Sequence, residues 1–276
     1  MLNSIWNKPP DGEKRIYIPA NYDTSHQYYL NFDKVDDGVL CDPVVGNNVY
    51  DSSVVNAPFS VFCWVYCKSN GESTLGAILH KGHNNPTGVN VGYQLHVYAG
   101  NASFVKVGCN VRHGDGSDGQ QATSADSGSG HLPRNAWAHV GFVYNGDGDK
   151  KIRTYVNGAD IGTYDSRTAG TGDVRDDSGQ PLIIGNKNNG SVTWDGYVRD
   201  VKVFHGIALT PTQISDLYTG TIPSGLSSHY DFHEGRGYAL HDIVGGGHGR
   251  LGRCSGSAGS PVFTPGGATA TWAIYS

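Results

Sequence analysis

The chain has 276 residues, with 20 Lys and Arg against 25 Asp and Glu and a formal net charge of −5, so it lacks the clustered cationic surface that nucleic acid or an anionic membrane selects. Forty glycines and only 16% charged residues, with few long helix-forming runs, exclude a helical bundle and point to an all-β domain of short strands and tight turns. No apolar run approaches membrane-spanning length and MLNSIWNKPPDGEKR has no apolar signal core, so neither membrane insertion nor ordinary export is expected.

Residues 1–27 mix Pro9-Pro10, Asp11-Gly12 and charges with one brief apolar run, Ile16–Pro19. They read as an arm that wraps the domain or docks onto a partner. Strands are predicted at Gln27–Phe32, Gly38–Cys41 and Phe59–Cys67, and the last, FSVFCWVYC, is apolar almost throughout and therefore central. Gly76–Leu79 follows, then a loop over Lys81–Asn90 and paired strands near Tyr93–Ala99 and Ser103–Val111. Alternation puts Tyr93, Leu95 and Val97 on one face and Gln94, His96 and Tyr98 on the other, which makes His96 an open-face residue. Arg112–Gly130 is nearly all Gly, Ser, Asp, Gln and His, and is expected to be a long loop without an element of its own.

The middle of the chain alternates most clearly. Ala138, Val140 and Phe142 share one face of Trp137–Tyr144, and Ile152, Thr154 and Val156 share one face of the next strand. Asn145–Asp149 closes that pair, and Asn157-Gly158 is a two-residue hairpin signal. After a polar excursion over Thr163–Gln180 the chain returns at Pro181–Asn186 and then runs Thr193–Phe204. Val198 and Val201 cannot share a face in an unbroken strand, so a bulge at Arg199-Asp200 is predicted. A helix is predicted at Thr210–Tyr218, with Thr210 as N-cap, Pro211 first, Gln213 closing a capping box, Gly220 ending it, and Ile214, Leu217 and Tyr218 as the apolar face. Beyond it, residues 226–276 alternate at His229–His233 and end in TATWAIYS. No linker separates them, so they are expected to add terminal strands to one domain over residues 28–276. Cys41, Cys63, Cys67, Cys109 and Cys254 are odd in number and lack Cys-x-x-Cys spacing, so free, strand-packed thiols are expected.

The order Phe59–Val65, Trp137–Val140, Tyr155–Gly158, Ile184–Asn186, Trp194–Phe204 and Leu209–Gly220 resembles that of the laminin-G-like, concanavalin A-like jelly rolls. The resemblance covers about residues 28–220 and implies an antiparallel β-sandwich jelly roll with one short helix. Tyr230–Gly237 and Asp242–Gly249 are similar to the segment that commonly opens such domains, here placed after the helix: either a permutation supplies the terminal strand, the preferred reading because some fifty residues are too few for another jelly roll, or a truncated second domain begins. Family members often hold Ca2+ at a loop rim, and no other cofactor is implied. Here Asn145, Asp147 and Asp149 alternate like a calcium loop, but Lys150 and Val156 stand where that loop needs Gly and Glu. Arg199 also replaces one of the two acidic residues that the matching strand often carries.

Hydrolysis on such a sandwich needs two carboxylates flanking the scissile bond. The three glutamates, Glu13, Glu72 and Glu234, are scattered, and no Asp pair is placed by strand spacing, so an enzyme is not expected. His229, Asp231 and His233 have transition-metal chemistry on one strand face, although a solvated outer face explains them as well. What remains is recognition, with aromatic rings to stack on sugar and Asn or His to bond its hydroxyls. The candidates are His80, His83, Asn84, Asn188, Asn189 and Trp194 at the loop rim, with Tyr93 and His96 nearby on the sheet. The expected role is a non-enzymatic, lectin-like display or adhesion protein on a phage-type virion, as capsid decoration, head fibre or tail fibre. It would be made in the host cytoplasm, be homo-oligomeric, and meet other virion proteins through its arm and a surface glycan through its rim. The alternatives are an extracellular carbohydrate-binding module of a secreted protein and, less favoured, a glycan-active hydrolase or lyase.

Overall fold

Period-two alternation governs the chain, and in the computed structural model of the protein it builds two antiparallel sheets packed face to face. The structure describes residues 27–44, 56–82, 91–114, 121–124, 131–165, 167–187, 189–257, 260–265 and 270–275. Of the arm expected over residues 1–27, all but Gln27, which opens the first strand, lies outside them.

The first strands are β1 (Gln27–Asp33), β2 (Asp37–Cys41), β3 (Phe59–Cys67), β4 (Leu75–Lys81), β5 (Tyr93–Gly100) and β6 (Phe104–Arg112). Then come β7 (Gln121–Ser124), β8 (Leu132–Pro133), β9 (Trp137–Tyr144), β10 (Ile152–Val156), β11 (Ala159–Asp160), β12 (Leu182–Ile184) and β13 (Asp195–His205). The helix α1 (Pro211–Tyr218) precedes β14 (Ser228–Tyr230), β15 (Ala239–Leu240), β16 (Gly249–Ser257), β17 (Ser260–Pro265) and β18 (Thr271–Tyr275). The first sheet runs β11-β10-β9-β3-β13-β1-β18, with β14 also on β13. The second runs β15-β16-β2-β12-β4-β5-β6-β7, with β17 on β16 and β8 on β6. Tail strands thus enter both sheets, β18 against β1 and β16 against β2. Among the described residues no helix is long and apolar enough to cross a membrane.

The core between the sheets takes alternate residues from every long strand. Val61, Cys63 and Val65 of β3, Ala138, Val140 and Phe142 of β9, and Tyr93, Leu95 and Val97 of β5 all point inward. Each fully buried large side chain of this kind contributes roughly 1.5–3 kcal/mol. The predicted bulge is present: β13 pairs with β3 in a register that shifts between Arg199 and Lys202, so Val198 and Val201 both face the core. All five cysteines are buried and free.

The helix forms as its cap predicts. Thr210 Oγ1 accepts from Gln213 N at 3.3 Å and Gln213 Oε1 accepts from Thr210 N at 2.9 Å, closing the capping box. Ile214 and Leu217 pack with Phe62, Val143, Tyr155 and Phe204 on the outer face of the first sheet. The helix covers only part of that face.

Two expectations fail. The polar segment 112–130 contains β7, which pairs with β6 from Cys109↔Ser124 to Arg112↔Gln121. Its ladder is made by backbone groups, which leave no apolar signature to read. His96 does not stand open either: it is 8% exposed. Its ring occupies the space over Gly108, where a Cβ would lie 2.4 Å from Nε2.

Candidate functional site

A cleft lies beside the bulge in β13. One edge of β13 pairs with β3 along its length, so β1 and β14 must share the other. β1 pairs with residues 195–198 and β14 with 201–203, and the bulge lies where one partner gives way to the next. Bulges widen and re-aim side chains in this way. Asp200 takes φ 56° there, and Phe232, just past β14, takes φ 66°.

The cleft has a volume of about 380 Å³. Gln27 and Tyr28 of β1 stand on one side, and Leu217 to Gly220 with Ile222 form the opposite wall. Trp64, Arg199, Asp200, Lys202, His229, Asp231 and His233 complete the lining. Trp64 and Tyr218 are stacked, with centroids 5.7 Å apart and planes 29° apart. Tyr218 is 37% exposed and Trp64 is half-buried beneath it.

The polar groups are ordered by charge. Asp200 Oδ1 accepts from His229 Nε2 at 2.8 Å and from Lys202 Nζ. Burial works against ionisation of Asp200, but the hydrogen bond from His229 and the charge of Lys202 outweigh it and hold the carboxyl well below its usual range. His233 Nδ1 lies 3.2 Å from Asp231 Oδ2, and that carboxylate raises the imidazole above its ordinary value. Arg199 donates from Nη1 to Gln27 Oε1 at 2.5 Å and lies over Trp64 at 5.1 Å. Beneath them His139 is buried; burial, then the charge of Lys202, pushes it down to about 4.

The residues expected to form the site are dispersed. Trp194 is fully buried and Tyr93 is 1% exposed, the latter packed on Phe59 at 4.6 Å, so both belong to the core and not to a rim. His80 and His96 lie on the outer face of the second sheet, 7% and 8% exposed and on the opposite side of the sandwich from the cleft. Asn189 occupies a turn, where its Oδ1 accepts from Ser191 Oγ at 2.7 Å. His83, Asn84 and Asn188 lie outside the described residues. The residues of the cleft carried signals of another kind: the alternating aromatic residues Phe62, Trp64 and Tyr66 of β3, the bulge, and the alternation of His229, Asp231 and His233.

Asp149 accepts from Arg153 on both oxygens, at 3.3 and 2.6 Å, and from Lys151 N at 3.2 Å, which ties it into the β9–β10 turn. Among the described residues no three His, Cys, Asp or Glu side chains are grouped to hold a metal ion, the cleft included.

A laminin G model, described as the concanavalin A-like lectin/glucanases superfamily, matches residues 45–215. No curated protein matches the sequence. Among solved structures, the chain is similar to a protein from Bacteroides ovatus ATCC 8483 assigned to carbohydrate binding, with 16% identity and TM-score 0.54 over 87% of this chain. It spans only 60% of that structure's chain. The sialidase CBM40 of Ruminococcus gnavus with α2,3-sialyllactose is 14% identical at TM-score 0.47, covering 68% of this chain and 96% of that one. Mouse laminin α1 domains LG4-5 are 13% identical at TM-score 0.43, covering 75% and 48%. The sandwich, its helix and the match over most of its length agree: the chain belongs to the concanavalin A-like lectin/glucanases superfamily.

Proposed function

We propose that the protein is a non-catalytic carbohydrate-binding module whose ligand enters the cleft between β1, β14 and α1. The observation that carries this is the cleft lining itself, in which Trp64 and the exposed ring of Tyr218 stand beside Asp200, His229, Asp231 and His233. A sugar presents an apolar CH face and a rim of hydroxyls, and this wall offers an aromatic surface beside donors and acceptors held in place by one another. Lectin membership of the superfamily and the B. ovatus neighbour support the same reading.

The charge states support binding without turnover. A glycosidase needs one carboxyl protonated as general acid. Asp200 is held ionised by His229 and Lys202, and Asp231 is paired with His233. Nothing in this reading depends on whether the protein is displayed on a particle or outside a cell.

The test is a glycan array probed with labelled full-length protein and with Trp64→Ala of matched melting temperature. A defined group of glycans should be bound by the wild type and lost in the variant. Release of reducing sugar from a bound glycan would instead make the protein an enzyme.

A further inference from the structure

Beyond the cleft, the outer face of the first sheet is aromatic where an outer face is ordinarily solvated and polar. Register places Trp137 of β9, Tyr66 of β3 and Tyr197 of β13 side by side in one row, next to Trp64 and Arg199 in the adjoining row. Tyr29 and Asn31 of β1 extend the rows. Tyr197 stacks on Tyr66 at 5.0 Å and lies against Tyr29 at 4.5 Å. Trp137 meets Tyr66 at 6.0 Å and Tyr29 at 5.5 Å, both edge to face. Strands in a sheet lie roughly 4.8 Å apart, and β9 and β1 are three strands apart. Trp137 and Tyr29 therefore lean toward each other across Tyr66 and Tyr197.

Two further observations say what this surface suits. All four rings are half-buried, and the outward positions around them hold Asn31, Lys68, His139, Arg199 and Thr271, with Ala273 opposite Tyr29 as the one small aliphatic side chain. Lys68 donates to Asn31 Oδ1 at 2.8 Å and lies over Tyr197 at 4.2 Å, giving the rings a hydrogen-bonding border. Aromatic surface with polar borders matches a sugar, whereas the core of a stable protein interface or a lipid contact would recruit aliphatic groups. The surface is also continuous with the cleft, since the Arg199 guanidinium lies over Trp64 at 5.1 Å and over Trp137 at 5.0 Å.

We propose that the Tyr29, Tyr66, Trp137 and Tyr197 surface is a second sugar subsite contiguous with the cleft. The ligand class is then an extended oligosaccharide that lies across both, not a single terminal sugar. This rests on the cleft binding sugar, and the two claims separate by experiment.

Full-length protein is titrated calorimetrically with gluco-, xylo-, arabino- and N-acetylglucosamine oligosaccharides from one to six units long. Wild-type affinity for the bound series should rise with length. In Trp137→Ala, and in Tyr197→Leu, which keeps bulk while removing the ring, the ratio of affinities between the longest and shortest bound members should collapse by about tenfold. Trp64→Ala should weaken every member. The subsite is overturned if affinity does not grow with length, or if both variants keep the wild-type ratio. It is also overturned if light scattering finds a wild-type dimer that Trp137→Ala returns to monomer, because the face is then an interface between copies. A wild type that binds no series overturns the cleft and the subsite together.

Discussion

Asp200 shows how much the cleft rests on one residue. Its carboxylate holds Lys202 and His229, and its backbone sits at φ 56°, a region that Asp and Asn tolerate better than other side chains. Asp200→Ala removes both hydrogen bonds and strains the turn, so urea unfolding should show a loss of roughly 1–3 kcal/mol. Asp200→Asn keeps the backbone preference and one acceptor, and should recover part of that loss. A second prediction concerns the thiols. Burial pushes Cys67, Cys109 and Cys254 up to about 12 and raises Cys41 and Cys63 further. The native protein should therefore be inert to a thiol reagent at pH 8, and all five should react in denaturant. At this scale the sequence was informative about chemistry and poor about place. Trp194 and Tyr93 are plausible sugar contacts by type, but only packing shows that they fill the core. Gln27 and Arg199 are 172 positions apart, and no local pattern predicts that they meet.

Elements were easier to read where the signal is local. The capping box of α1 is written in four consecutive residues, and the bulge in β13 follows from two valines three apart. Thr210→Ala should cost about 1 kcal/mol and Thr210→Ser much less, as measured by thermal unfolding. Because Leu217 to Gly220 form one wall of the cleft, the same Ala variant should also weaken glycan binding. The strand β7 was hidden for the opposite reason, since Gln-Ala-Thr-Ser gains its structure from β6 and not from its own pattern. The cleft was hidden likewise: it arises where β1 and β14 share one edge of β13, and pairing of that range cannot be read from alternation.

At the scale of the whole molecule, buried titrating groups set the response to acid. Burial pushes His96 and His139 down to about 4, while an unfolded imidazole titrates near about 6.5. The unfolded chain therefore binds these protons first, and the stability these residues contribute above that unfolded value is lost as pH falls toward 4. His113 and His248, also lowered mainly by burial, act in the same direction. Two groups oppose them. Burial raises Asp37 to about 7, so in the fold it takes up its proton first and adds stability as pH falls through 7. His233, raised by Asp231, likewise adds stability below its folded value. Four against two predicts a melting temperature that falls between pH 7 and 4, and Asp37→Asn should steepen the fall. A melting temperature that rises over that range would contradict the assignment of buried, neutral imidazoles.

The central claim is that sugar binds in the cleft on the outer face of the first sheet, and chemical-shift mapping tests it most directly. Amide spectra of 15N-labelled protein would be recorded with and without an array-identified glycan. The largest shifts should fall on Trp64, Arg199, Tyr218, His229 and Asp231. Shifts centred instead on His80, Gln94 and His96, across the sandwich, would place the ligand on the second sheet and contradict the account.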